Sequence, residues 1–188
     1  MTDTNIKETQ KRANPGPLGL IGFGLTTVLL NLKNAGVIEL SIMIAAMGFA
    51  VGGLAQIIAG ILEFREKSTF GGTAFTAYGF FWISLVVIWV NPSSLPAADL
   101  TSMGFYLLVW GTLTVFMFIC TFKHSRVTRF VFGSLVLLFF MLAIGDFTQN
   151  ETITRIAGVI GIICGSSALY SAVAQLINEE FGRVIFPL

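Results

Sequence analysis

Residues 40–62 read LSIMIAAMGFAVGGLAQIIAGIL, 23 residues without a formal charge. A helix of that length rises about 35 Å, and a bilayer's hydrocarbon core is about 30 Å thick. The run has no two-residue alternation, and it is too long for a membrane strand of about 9–11 residues. It therefore reads as one transmembrane helix. In hydrocarbon only helices and closed barrels satisfy their backbone groups, so this single run commits the chain to an all-α integral membrane fold.

Working outward, charged residues fence off five more apolar stretches, at 18–32, 68–90, 100–122, 130–145 and 156–178. Three of these also hold 23 residues, whereas 18–32 and 130–145 hold only 15 and 16. The short pair must either extend into polar residues or lean on protein rather than lipid. Composition agrees with a membrane protein. Of 188 residues, 55% are hydrophobic and 11% charged, against about 25% charged in soluble domains. The organisation expected is a polar tail at 1–13, one six-helix domain at 14–178 and a short tail at 179–188.

Lys and Arg placement orients the helices. Lys7, Lys11, Arg12, Arg65, Lys67, Lys123, Arg126, Arg129 and Arg183 fall on one side, and only Lys33 and Arg155 on the other. That asymmetry puts both termini in the cytoplasm and calls for an even number of spans. The net charge of +1 gives no reason to expect a nucleic-acid partner. No GxxxxGK[ST] phosphate loop is present, and the connections are too short for a nucleotide-binding domain. Any transport would run on gradients. No carboxylate pair or Cys/His cluster lies within a span, so no catalytic residue, metal or cofactor is expected. Cys120 and Cys164 read as two free thiols in apolar runs. The one histidine, His124 in KHSR, is either a solvated loop residue or a pH sensor.

Small residues four apart let helices approach closely in lipid. Gly48 and Gly52 in the second span, and Gly161 and Gly165 in the sixth, have that spacing. It serves packing inside one subunit or between subunits. Polar residues within spans are costly unless satisfied. Ser and Thr can bond back to a carbonyl one turn earlier, but Gln56 and Gln175 must bridge helices or face water. Glu63 ends the second span. It either pairs with Arg65 or Lys67, or faces a path and takes up protons. Residues 14–20, NPGPLGL, place two prolines and two glycines at the start of the first span. Pro17 suits the first helical position, and Pro15 biases Asn14 away from helix. The run is a helix start beside a path mouth or, equally, a rigid lid.

Several strings in order resemble one known family. NPGPLGL is similar to the NPAPLGL signature of the acetate uptake transporters, the succinate–acetate permeases. The resemblance continues through GFGLTTVLLNL, GGLAQIIAGILEF, STFGGTAFTAYGFFW and CGSSALYSAVAQLINEEFGR. Gly16 stands where the signature has alanine, and Ser68 where the family often has asparagine. The resemblance implies a six-helix bundle around a central path, assembled as a homohexamer. It implies a hydrophobic constriction at Phe23, Tyr78 and Leu135, and it links Ala168 to substrate size. It also marks Glu63 for transport, and Asn14 matches the signature asparagine.

Acetate needs donors for its carboxylate and an apolar collar for its methyl. Helix N-termini and neutral side chains such as Thr26, Thr76 and Ser167 meet the first need, with Asn14 and Gln56 as further substrate-binding candidates. The collar excludes hydrated ions by dewetting. The expected function is proton-coupled transport of acetate and succinate across the cell membrane, with Glu63 as the proton-coupling candidate. An acetate-selective anion channel and a non-transporting acetate sensor are the alternatives, and a passive pore for neutral solutes is a further class.

Overall fold

The computed structural model of the chain describes residues 13–188. The polar stretch at 1–12, with Lys7, Lys11 and Arg12, lies outside the described residues. Six helices are long and apolar enough to cross a membrane: α1 (Gly16–Asn34), α2 (Ile42–Arg65), α3 (Thr69–Val90), α4 (Leu100–Lys123), α5 (Arg126–Thr148) and α6 (Glu151–Glu180). No strand occurs among the described residues.

The two short runs are full spans because their helices continue through polar residues. α1 gains Gly16 and Pro17 at its start and Lys33 and Asn34 at its end, reaching 19 residues, or about 28 Å. Gly16 is the first helical residue, so Pro17 stands second, still ahead of any N–H needed inside the helix. α5 begins at Arg126 because Ser125 Oγ accepts from the Thr128 N–H at 3.1 Å. It runs to Thr148 and stops at Gln149, which is left-handed at φ 52°. Side-chain caps also open α3 (Ser68), α4 (Asp99) and α6 (Asn150). Each satisfies N–H groups that a helix start leaves bare. At Asp99 the Ser102 N–H donates to the carboxylate at 2.6 Å and holds its pKa below the usual value.

α2 is not uniform. Between Gly48 and Ala55 it widens into a π-helix, a rare conformation that is often found at functional sites. The Gln56 amide Nε2 donates to the Gly52 carbonyl at 2.8 Å and so supports the end of the widened segment. This segment packs on both α1 and α3. A Cβ on Gly22 of α1 would stand 2.7 Å from the Val51 carbonyl oxygen, and one on Gly52 would meet Trp82 of α3 and Thr26 of α1 at 2.8–2.9 Å.

The tightest packing joins the first helix to the last. Gly158, Gly161 and Gly165 of α6 all face α1, against Ala35, Asn31 and Gly24 respectively. The glycine spacing of the sixth span thus serves contacts within the chain. Across the core, Phe23, Tyr78, Phe81, Trp82, Leu135, Phe139 and Ala168 belong to one buried cluster. Outside it, large apolar side chains such as Phe105, Phe116, Ile119 and Val159 point outward, which suits lipid rather than water. Beyond α6, residues 181–188 fold back on it. Asn178 Oδ1 accepts from the N–H groups of Ile185 and Phe186 at 2.7 and 2.9 Å, and Tyr170 donates to the Pro187 carbonyl at 2.8 Å.

Gly165→Ala tests the α1–α6 contact. Its new Cβ would lie 2.9 Å from both the Gly24 oxygen and the Val28 nitrogen. Both are backbone atoms, which cannot rotate away. The expected cost is about 1–3 kcal/mol, read as a lower unfolding midpoint in detergent. The neighbouring Ser166→Ala, on the exposed face, should stay within about 0.5 kcal/mol.

Candidate functional site: two cavities meeting at three side chains

Two cavities enter the bundle from opposite ends. The first, about 230 Å³, opens where α1 ends and α4 and α6 begin, and it is lined there by Lys33, Asn34, Asp146 and Thr154. The second, about 170 Å³, opens at the end that holds the start of α1 and the end of α6, with Asn14, Glu63, Ser68, His124 and Gln175 around it. Each exceeds by far the roughly 10–15 Å³ that one water needs. Phe23, Tyr78 and Leu135 line both cavities, and no other lining residue is shared. They are 4–7% exposed. The rings of Phe23 and Tyr78 lie 6.4 Å apart, tilted at 54°. An apolar plug therefore stands between two cavities with polar mouths.

The plug is held from behind. Tyr78 Oη and Thr114 Oγ1 are 2.9 Å apart, and Thr114 also donates to the Trp110 carbonyl at 2.7 Å. The Trp110 and Phe132 rings each lie 6.1 Å from Tyr78. Phe132 contacts Phe70, and Phe70 lies 4.4 Å from the His124 ring. A row of aromatic rings thus connects the plug to the mouth of the second cavity. Thr114 could not be found from sequence, because nothing in a lone threonine points to a tyrosine 36 residues away.

The candidate residues divide sharply by position. Asn14, Gln56 and Glu63 line the second cavity. Asn14 Oδ1 accepts from the Gly16 N–H at 3.0 Å, and its Nδ2 donates to Gln175 Oε1 at 3.1 Å. Asn14 thus caps α1 and ties it to α6. Gln56 is fully buried, with its Nε2 committed to Gly52 and its Oε1 without a partner. Glu63 is also buried. Among the described residues it forms no ion pair with Arg65 or Lys67. Its carboxylate instead leans on Gly71 in the first turn of α3, where backbone N–H groups and the helix dipole favour negative charge.

Thr26, Thr76, Ser167 and Ala168 line neither cavity. Thr26 donates to the Gly22 carbonyl at 2.6 Å, and Ser167 to Cys164 at 2.7 Å. Thr76 is wedged against Gly60 between α3 and α2, its Oγ1 without a partner. Ala168 is fully buried in the cluster that contains the plug. Other polar residues do reach the cavities. Thr27 and Asn31 line the first, and Thr27 Oγ1 is buried without a partner. Gln175 lines the second. Among the described residues, Lys33 is the single Lys or Arg lining the first cavity, and the second is lined by none.

Opposed cavities and a buried plug inside six apolar helices define a multi-pass membrane protein built around a narrow passage. The chain belongs to the GPR1/FUN34/yaaH family, whose profile matches residues 2–187. It is 51% identical over 180 residues to the succinate-acetate/proton symporter SatP of Escherichia coli K12, covering 95% of this chain and 96% of that protein. It is 30% identical over 201 residues to acetate permease A of Emericella nidulans, covering 96% of this chain and 67% of that one. A solved structure described as that of the bacterial acetate channel SatP superposes with a TM-score of 0.93. The two are 51% identical, and the match covers 95% of this chain and 99% of that chain.

The Tyr78–Thr114 pair makes an asymmetric prediction. Thr114→Val strands the buried Tyr78 hydroxyl and should cost about 1–3 kcal/mol, whereas Tyr78→Phe leaves Thr114 bonded to Trp110 and should cost less, about 0.5–1.5 kcal/mol. In the double variant the two costs should not add. Unfolding midpoints of the three variants check this, and equal, additive costs would show that the hydrogen bond does not hold the ring.

Proposed function

We propose that the protein carries acetate, and succinate, across the cell membrane together with protons, along a path formed by the two cavities and the plug between them. The observation that carries this reading is that Phe23, Tyr78 and Leu135 alone are common to both cavities. A path must cross them. Their apolar surfaces shut out hydrated ions by dewetting and offer contact to a methyl or methylene group. The names of two relatives, a succinate-acetate/proton symporter and an acetate permease, support the substrate class. The protein acts as a carrier and not as an enzyme, with both termini in the cytoplasm, as the nine-to-two Lys and Arg count directs. Its copies assemble as a homohexamer.

The second cavity suits an acid that carries its proton. Among the described residues it has no Lys or Arg to hold a carboxylate tightly. The unpartnered Gln56 Oε1 can accept from the O–H of an undissociated acid. Glu63 is the one carboxylate on the wall, within reach of the same space. Asn14 and Gln175 offer neutral groups at the mouth. Ala168, behind the plug, limits its width.

Channel conduction of the acetate anion is the second reading, favoured by the description of the solved relative as an acetate channel. The two differ electrically, because acetate with one proton moves no net charge whereas an acetate channel carries current.

Uptake of radiolabelled acetate into proteoliposomes tests the proposal. A pH gradient should accelerate uptake without a current. No gain over empty vesicles would end the transport reading in favour of a sensor, and a current that follows the acetate gradient would establish the channel. Phe23→Ala and Leu135→Ala should widen the plug and raise the rate for larger acids relative to acetate by roughly tenfold, measured by competition. Glu63→Gln should abolish stimulation by the pH gradient while leaving acetate exchange between two equal pools. If gradient-driven uptake survives, Glu63 is not the proton carrier.

A further inference from the structure

A third cavity belongs to neither the path nor the plug. It is a groove of about 600 Å³ on the outer face of the bundle, and it shares no lining residue with the other two. Its floor is one stripe of α5, formed by Arg126, Arg129, Phe130, Gly133, Ser134 and Leu137, a spacing that keeps all six on one helical face. Phe118 of α4 stands on one side, and Ile160 and Ile163 of α6 on the other.

Both cations sit at one end. Neither forms an ion pair with a described carboxylate. Arg129 lies over the Phe122 ring, 5.2 Å from its centroid, and reaches the Phe122 carbonyl at 3.4 Å. Its Nε is buried without an acceptor. The rest of the groove is almost wholly apolar, and Ser134, the polar exception, donates to the Phe130 and Val131 carbonyls of its own helix. From Arg126 to Leu137 the helix rises about 16 Å, close to half of the roughly 30 Å hydrocarbon core. So the groove has the depth of one leaflet, apolar walls along that depth and, at the headgroup level, two arginines that no described carboxylate pairs with.

We propose that this groove binds one anionic phospholipid from the leaflet on the side of the chain termini. Its phosphate would pair with the guanidinium groups of Arg126 and Arg129, and one acyl chain would lie along Gly133 and Leu137. Gly133 deepens the groove at that point, since a Cβ there would stand 3.2 Å from the Phe118 ring. Basic pockets between helices on the cytoplasmic side bind lipid headgroups by the same chemistry. The proposal does not depend on what the path carries.

Native mass spectrometry of the purified full chain, titrated with dioleoyl phosphatidylglycerol and with the zwitterionic dioleoyl phosphatidylcholine, tests it. One phosphatidylglycerol per chain should bind, preferred over phosphatidylcholine by roughly 10- to 30-fold. R126Q/R129Q, with an unchanged unfolding midpoint, should lose that preference. Leu137→Trp keeps both arginines but fills the groove, and it should lose the bound lipid. It therefore decides the matter if the double variant is unstable. Equal binding of the two lipids by the wild-type chain would overturn the proposal, as would a preference that survives both variants. Disulfide-linked dimers of Leu137→Cys in a Cys120→Ser background, formed in native membranes, would also overturn it and assign the groove to a second copy of the chain.

Discussion

Gly24 of α1 and Gly165 of α6 bring two helix backbones into direct contact, and the rest of the bundle depends on that approach. A Cβ on either glycine would stand 2.8–2.9 Å from the other's carbonyl oxygen. In lipid no hydrophobic drive pulls one apolar helix onto another, so close packing must supply the attraction. Side chains on this seam would hold the first and last helices apart. The bundle would then open along the line that places Phe23 of α1 among Tyr78 of α3 and Leu135 of α5. Asn31 against Gly161 and Ala35 against Gly158 extend the same seam toward the far end of α1. Asn14 and Gln175 close it at the near end with a hydrogen bond. The motif that starts α1 and the glycine stripe of α6, distant in sequence, thus act on one joint.

The helices were legible because charges are so scarce that each one marks an end. That reasoning under-measured α1 and α5, since a helix is bounded by its caps rather than by its first charge. Ser125 and Gln149 bound α5, and Arg126 and Arg129 simply ride on its first turn. The π-helical stretch of α2 was not legible. Its glycines signal close packing equally well, and only Gln56, folded onto Gly52, betrays the widened turn.

The three positions that the family resemblance marks, Phe23, Tyr78 and Leu135, lie between the two cavities, and the polar candidates Asn14, Gln56 and Glu63 lie on the wall of the second. Thr26, Thr76 and Ser167 are polar too, yet they line neither cavity. A hydroxyl within a span can face the path, its own helix or a neighbour, and the choice depends on how the helix is rotated. A soluble helix reveals its rotation through an apolar stripe. These helices are apolar on every side, so the stripe vanishes. Thr26 and Thr27, adjacent in sequence, show the consequence: the first turns back to Gly22, and the second lines a cavity.

The distribution of charge follows from the same economy. A cation beside the plug would hold a carboxylate strongly in a low dielectric and slow its release. Lys33 instead stands at the mouth of the first cavity with Asp146 on the same wall. Among the described residues the second cavity has only neutral groups, one histidine and Glu63. Glu63 leans on the first turn of α3, so its charge is compensated by backbone dipoles rather than by a lysine or arginine. Such compensation is partial. A dipole end stabilises a carboxylate by only about 0.3–1 kcal/mol. Among the described residues, then, Glu63 has no ion pair and the wall of the second cavity carries no Lys or Arg.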